Sequence, residues 1–356
     1  MQFSNAVTTV TRTAIPKRVY DTVTNGTPGL QTFLRTAKAW ATGTKYEPVI
    51  KYQDTTNGGN TGIADQLDSD RQDVRTNMSF EVKAAYKPVV IANIETKLNK
   101  GDEQIVSLFE TEFDSQAQSL MNVMAQNLYT GNGTGNEWDS LYNAASDSTV
   151  FSTYGSLSRS TYTSINGYYL ASTGALTLAK MATGYDDVTV GMDEPDFMLT
   201  TKTLWTAYEA LLTPTLRSTY EGFSFPNYDQ YGMVSQKSQP MGATQGFRTV
   251  TFRGTPVAKD EQIPSGRLHY VNTKAFSMRG VDMAGIDNFQ TLNFKKKNSE
   301  GVPMGVPGNT PSAKGFNFRV LMSPVDQFAE VGYLAYFGNF VSENPRLLGT
   351  LAGATA

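Results

Sequence analysis

The chain has 356 residues, enough to bury a sizeable core as about two domains or as one compact unit with long excursions. Charged residues make up only 18% and aromatics reach 11%, while a net charge of -3 and an isoelectric point of about 5.4 leave a surface that does not attract nucleic acid as a whole. The absence of cysteine excludes disulfides, thiolate zinc sites and cysteine nucleophiles, so stability must come from packing and association.

Residues 1–45 read as an arm, with short polar stretches broken by Pro16, Asn25, Gly26 and Pro28. The opening MQFSNAVTTVTRTAIPKRVY has no apolar core before a small-residue cleavage site, and nowhere do about 18 apolar residues run together. A product made in the cytoplasm and kept soluble is expected. One short helix is predicted after Pro28, where Leu30, Phe33, Leu34, Ala37 and Trp40 recur at helical spacing. From Met1 to Lys51, seven Lys or Arg (Arg12, Lys17, Arg18, Arg35, Lys38, Lys45, Lys51) face two acids, Asp21 and Glu47, a net charge of +5.

YEPVIKYQ (46–53) alternates like a strand, DTTNGGNTGIADQLDSD (54–70) breaks every pattern, and SFEVKAAYKPVVIANIE (79–95) resumes as an extended run. The prediction is an extended hairpin with a flexible tip. Between Tyr52 and Phe80 five acids (Asp54, Asp65, Asp68, Asp70, Asp73) outnumber Arg71 and Arg75, a net charge of -3. Basic arm and acidic hairpin are complementary in sign, although charge runs of this kind also serve simply as solvated faces.

The strongest periodicity runs over 102–129, where Ile105, Phe109, Phe113, Ala117, Leu120, Met124 and Leu128 trace one helical face over roughly 40 Å. The helix stops at TGNGTGN (130–136). Residues 138–174 read as short polar strands, followed by a helix from Leu176 to Thr183. DFMLTTKTLWTAYEALL (196–212) reads as a strand entering a helix capped by Thr201 or Thr203. A Tyr- and Phe-rich loop spans 213–245, three strands are predicted over 247–280, and GVPMGVPGNTPSAKG (301–315) has the composition of a mobile connection. The apolar run Val331 to Val341 is long enough for a buried central strand.

Catalytic chemistry finds little material. His269, the sole histidine, lies in the strand-like RLHYVNT, and neither a G-x-S-x-G elbow nor a P-loop occurs. GNGTGN (131–136) ends a helix and does not link a strand to one, so it reads as a stop and not a nucleotide loop. Asp186, Asp187 and the DEPD at 193–196 could hold a hard cation or act as an acid and base pair, but Asp beside Pro and Gly more often makes turns. Lys295 to Lys297 suits a solvated edge better than a phosphate site, and the N-x-S/T matches at 25, 77 and 132 have no secretory signal to give them meaning.

Taken in order, the arm, hairpin, long helix, mixed middle and final apolar strand resemble the Hong Kong 97-type major capsid proteins of tailed phages. The strings WDSLYNAASDS, SRSTY (158–162), FRGTPVAKDEQIP (252–264) and YFGNFVSENPRLLGTL (336–351) are similar too. The resemblance covers nearly the whole chain. It implies an α+β fold with an N-terminal arm (1–45), an extended loop (46–95), a peripheral domain including a spine helix (96–174), an axial domain (175–285), and a return to the peripheral domain with a C-terminal strand (286–356). The implied function is self-assembly into the icosahedral head shell around the phage genome, with no enzyme activity, cofactor or metal.

The implied partners are other copies of the chain in hexamers and pentamers, with portal, scaffold and decoration proteins; residues 1–45 are too short for a fused scaffolding segment, so scaffolding would be a separate protein or none. Double-stranded DNA would be enclosed without sequence-specific binding, no membrane is involved, and the place is the virion, assembled in the host bacterial cytoplasm. The interface residues expected on this reading are Arg12, Lys17, Arg18, Arg35 and Lys38 of the arm against Asp54, Asp65, Asp68, Asp70 and Asp73 of the hairpin, with Gly58, Gly59 and Gly62 as hinges. Two other functions remain open: the shell of an encapsulin-like nanocompartment, and an all-β carbohydrate-acting enzyme.

Overall fold

The computed structural model describes residues 27–40, 43–60, 62, 70–98, 108–212, 250–281, 289–297, 303–305, 316–322 and 328–356. Helix α1 (Pro28–Arg35) starts on the proline expected to begin it and buries Leu30 and Phe33. It leads into β1 (Lys38–Ala39), which pairs with β14 (Phe276–Gly280). Residues 27–40, although they fall in the stretch that reads as an arm, therefore pack into the core of the subunit. The physical reason is their helical apolar spacing, which gives α1 a face that has to be buried.

The hairpin forms from two short pairs, β2 (Lys45–Tyr46) with β5 (Phe80–Glu81) and β3 (Val49–Lys51) with β4 (Arg75–Asn77). The extended run at 79–95 does not stay in it. After Glu81 the chain enters β6 (Lys83–Ala92), which pairs along its whole length with β18 (Ala329–Ser342) in the large sheet. A second short helix, α2 (Asn93–Leu98), follows, and the long helix α3 is described from Leu108 to Thr130. Its N-terminal part, including Ile105, lies outside the described residues; after α3 come a one-turn helix α4 (Leu141–Ala144) and the small pair β7 (Thr153–Tyr154) and β8 (Leu157–Ser158).

The large sheet has seven strands: β1, β14, β18, β17 (Phe316–Met322), β15 (Phe289–Lys297) and β16 (Pro303–Gly305) in that order, with β6 also on β18. Helix α3 lies on one face of it. Phe113, Leu120, Met124 and Leu128 pack there with Val89, Leu334, Tyr336 and Phe318, and the rings of Phe113 and Phe318 meet edge-on at 5.4 Å. From Phe113 onward the predicted apolar stripe is thus the core contact that its spacing implied.

The second sheet has six strands in the order β11 (Val250–Phe252), β12 (Thr255–Lys259), β10 (Phe197–Thr200), β13 (Leu268–Val271), β19 (Gly349–Thr355), β9 (Tyr168–Ala175). Helices α5 (Leu178–Val188) and α6 (Lys202–Leu212) cover one face, burying Met181, Val188, Leu204 and Tyr208 against Met198, Val257 and Tyr270. Thr201 caps α6 by accepting from the Leu204 N–H at 3.3 Å, and Thr177 caps α5 from the Lys180 N–H at 3.2 Å. Residues 247–280 hold four strands where three were predicted, because β12 and β11 fold back on each other about a two-residue turn at Arg253 and Gly254. The apolar run at 331–341 is not the end of the sheet structure. The last strand, β19, leaves β18 and pairs in parallel with β9 of the six-stranded sheet. The chain is α+β and not all-β.

Candidate functional site: an open sheet face beside a stapled hairpin

The register of β6 on β18 sets out two columns of side chains on the face turned away from α3. Ala84, Tyr86, Pro88 and Val90 stand opposite Phe337, Ala335, Tyr333 and Val331. All eight are apolar. Tyr86 is 64% exposed and Val90 47%, and the strip continues into Ile94 and Phe328, which are also exposed. The other edge of β6 is paired with no strand among the described residues. A long edge with an apolar open face is a surface that isolated soluble proteins normally protect.

The hairpin beside it is stapled at its root. Tyr46 donates its hydroxyl hydrogen to Glu343 Oε1 at 2.7 Å and accepts from Arg279 Nη2 at 2.8 Å, while Arg279 also pairs with Glu343 and lies 3.9 Å over the Tyr46 ring. Burial alone would raise the Glu343 carboxyl, but the Tyr46 and Arg279 donors and the nearby Lys38 charge hold it below its ordinary value. Burial and the bond to Glu343 push the Tyr46 hydroxyl up to about 12. Further out, the inner face of the hairpin rests on residues 153–162: Phe80 meets Tyr154 at 5.4 Å, and Tyr52 meets Tyr162 at 5.0 Å.

Two buried polar groups support this root. Asp139, 8% exposed, accepts from Asn339 Nδ2 at 2.8 Å, and the same amide group donates to Glu81 O at 2.9 Å where the hairpin turns into β6. Burial, only partly offset by that bond, raises the Asp139 carboxyl to about 6. Arg159, fully buried, donates to the carbonyls of Ser146, Ile165 and Asn143 and lies over the Tyr154 ring at 5.1 Å. Burial lowers its guanidinium to about 10.

Of the interface residues expected from the sequence, Arg35 is half-buried in the last turn of α1 and Lys38 lies on β1 beside Glu343 of the same subunit. Neither stands on an outstretched arm. Asp54 pairs with Lys51 of its own hairpin at 2.6 Å, which lowers its carboxyl. Asp70 and Asp73 are exposed on the returning side, their carbonyls accepting from Asn57, Tyr52 and Gln53. Gly58, Gly59 and Gly62 are exposed at the tip, and Gly58 has a φ of +93°, a conformation in which glycine is unstrained. Arg12, Lys17, Arg18, Asp65 and Asp68 lie outside the described residues. The structure therefore gathers Asp54, Asp70, Asp73 and the glycines on one hairpin, and separates them from Arg35 and Lys38.

The open face, Arg159, Asp139 and the Arg279 staple were not singled out from the sequence. Only the open face left a signal, the apolar run AAYKPVVIA, and its alternation shows one exposed side only when the partner strand is known.

The residues weighed for catalysis have structural duties. His269 is buried, with Nδ1 2.8 Å from Thr350 Oγ1 and its ring stacked on Tyr129, and burial lowers it to about 3. Asp186 pairs with Arg253, and Asp196 accepts from the Thr273 N–H at 3.0 Å. Glu194 accepts from the Tyr185 hydroxyl at 3.0 Å, and Asp193 closes a turn on Val190. Of these carboxylates only Asp193 makes a turn, through its backbone; Asp186, Glu194 and Asp196 make longer-range side-chain contacts. Among the described residues no helix is long and apolar enough to cross a membrane.

No family model matches the chain, and no curated protein matches it. Solved structures do. The capsid asymmetric unit of cyanophage A-1(L) superposes with a TM-score of 0.69 at 15% identity, covering 99% of this chain and 100% of that one. The SrpI encapsulin complex of Synechococcus elongatus gives 0.59 at 11% identity over 100% and 96% of the two chains. The capsid of a native GTA particle gives 0.59 at 10% identity over 99% and 100%. At such identities the likeness is one of fold, and it extends from end to end: the chain has the Hong Kong 97-type capsid fold.

Proposed function

We propose that the chain is the major capsid protein of a tailed phage, self-assembling into an icosahedral head shell around double-stranded DNA. The observation that carries this reading is the face of β6 on β18, apolar at all eight positions, exposed along β6, and bordered by an edge that pairs with no strand among the described residues. A surface of this kind becomes favourable only when other copies bury it, which gives assembly a driving force that individual surface ion pairs lack. End-to-end likeness to shell proteins supports the same reading.

In the shell, copies would meet as hexamers and pentamers through their axial domains. The hairpin would lie on a neighbour, with Arg12, Lys17 and Arg18 of one copy against Asp65, Asp68, Asp70 and Asp73 of another. Closure would follow from heterologous contacts whose rotation closes, with the glycines of the hairpin tip absorbing small differences between positions. Portal, scaffold and decoration proteins would be the partners, and the virion, assembled in the bacterial cytoplasm, the location.

Electron microscopy of the purified full-length chain tests the reading. Closed shells are expected, and a uniform population of monomers would overturn it. The SrpI encapsulin likeness favours a second reading, the shell of a nanocompartment. The contents of particles isolated from the native source separate the two: packaged double-stranded DNA supports the phage head, and enclosed protein cargo the nanocompartment.

A further inference from the structure

Helix α1 begins without a cap of its own. The Thr27 side chain makes no capping bond, and the first turn holds no acid. The missing acceptor comes from 231 residues away: Asp260 Oδ2 accepts from the Gly29 N–H at 3.1 Å. A carboxylate there satisfies a free donor of the first turn and sits at the positive end of the helix dipole.

The same oxygen accepts from the hydroxyl of Tyr129, in the last turn of α3, at 2.9 Å. Asp260 is itself tied to the six-stranded sheet, since its N–H donates to Thr200 O at 2.9 Å and its Oδ1 accepts from the Gln262 N–H at 3.0 Å. It is 1% exposed, and none of the ion pairs formed among the described residues includes it. Helices α1 and α3 meet on it without slack, because a Cβ on Gly29 would lie 2.0 Å from Tyr129 Oη. Arg267, one residue before β13, closes the junction from the other side, donating to Tyr129 O at 3.3 Å.

We infer that Asp260 is a latch joining the start of α1, the end of the long helix and the six-stranded sheet, so that displacement of one is transmitted to the other two. Residues 1–26 precede α1 in the sequence. When a neighbouring copy holds them, the latch passes that engagement to both halves of the molecule. This last step rests on the shell reading; the mechanical coupling within one subunit does not.

Hydrogen exchange followed by mass spectrometry on the full-length, unassembled chain tests the coupling. In the wild type, residues 28–35, 120–130 and 255–271 are expected to open together. Asp260→Asn should make exchange in 28–35 and 120–130 about tenfold faster while leaving α5 and α6 unchanged. Tyr129→Phe removes one hydroxyl and should free 120–130 alone, keeping 28–35 protected, which guards against a variant that simply fails to fold. Acceleration confined to 259–262, or spread evenly over the chain, would overturn the latch. In assembled shells, deletion of residues 1–26 should change exchange at 120–130 in the wild type but not in Asp260→Asn. Shells that form normally yet show the same change in both would remove the latch and leave the shell reading intact; no shells at all, with coupled exchange in the subunit, would do the reverse.

Discussion

Arg159 is a buried cation that bonds to three carbonyl groups and forms no ion pair among the described residues. Replacing it with Met would strand buried acceptors, Ile165 O foremost, and should cost about 2–3 kcal/mol of stability, read from the denaturation midpoint of the unassembled chain. Asp139 makes a different kind of prediction. Its folded-state value of about 6 lies above the ordinary 3.8, so its contribution to stability is complete below about pH 4 and is lost as pH rises through about 6. Asp139→Asn should flatten the dependence of unfolding free energy on pH across that window, by up to about 3 kcal/mol at neutral pH. Identical pH profiles for variant and wild type would show that the carboxyl is not buried in solution. Neither residue announces itself in the sequence: an Arg in SRSTY and an Asp after Trp138 look like surface residues until the loop at 139–167 closes over them.

Among the elements, the hairpin is held to its own subunit at two heights, the Tyr46–Arg279–Glu343 staple and the Tyr52–Tyr162 contact. Tyr46→Phe removes the hydroxyl that bonds both Arg279 and Glu343, leaving their direct pair, and should cost about 1 kcal/mol. The loss should appear as faster hydrogen exchange at 45–51 and 75–81, with β6 and β18 unaffected; equal acceleration in those strands would mean the staple supports the sheet and not the hairpin. The hairpin itself was legible as two alternating runs around a Gly- and Asp-rich tip. Its boundary was not. The run from Ser79 to Glu95 reads as one strand because alternation continues through Val82, and only pairing with two different partners, β2 and then β18, divides it.

For the whole molecule, the decisive feature is that α3 covers one face of the large sheet while, among the described residues, the opposite face is exposed along β6, at Tyr86 and Val90. Placing charges there, Tyr86→Lys with Val90→Lys, should leave the subunit folded, because both side chains point away from the core. It should abolish assembly, since each buried contact would then confine an unpaired ammonium. Sedimentation and circular dichroism read the two effects separately, and normal particles from the double variant would exclude this face from the contacts between copies. Deletions divide at the same scale. Removing residues 1–26 should spare the fold, whereas removing 1–45 takes Leu30 and Phe33 out of the core and should prevent it from forming.

The sequence by itself determined the local elements and the limits on chemistry. Helical spacing marked α1 and the long helix, Thr201 or Thr203 marked the start of α6, alternation marked the hairpin, a dense apolar run marked β18, and the lack of cysteine left association and packing as the sources of stability. These follow from nearest-neighbour geometry along the chain, which a periodic pattern encodes directly. Only the tertiary structure decided which strands meet: β6 with β18 more than two hundred residues later, and β19 with β9 in the other sheet. Alternation records that a strand has two faces but not who lies beside it. For the same reason charge signs could suggest that arm and hairpin attract, while the fold left Arg35 and Lys38 half-buried against their own subunit and brought Asp260 to a helix end 231 residues away.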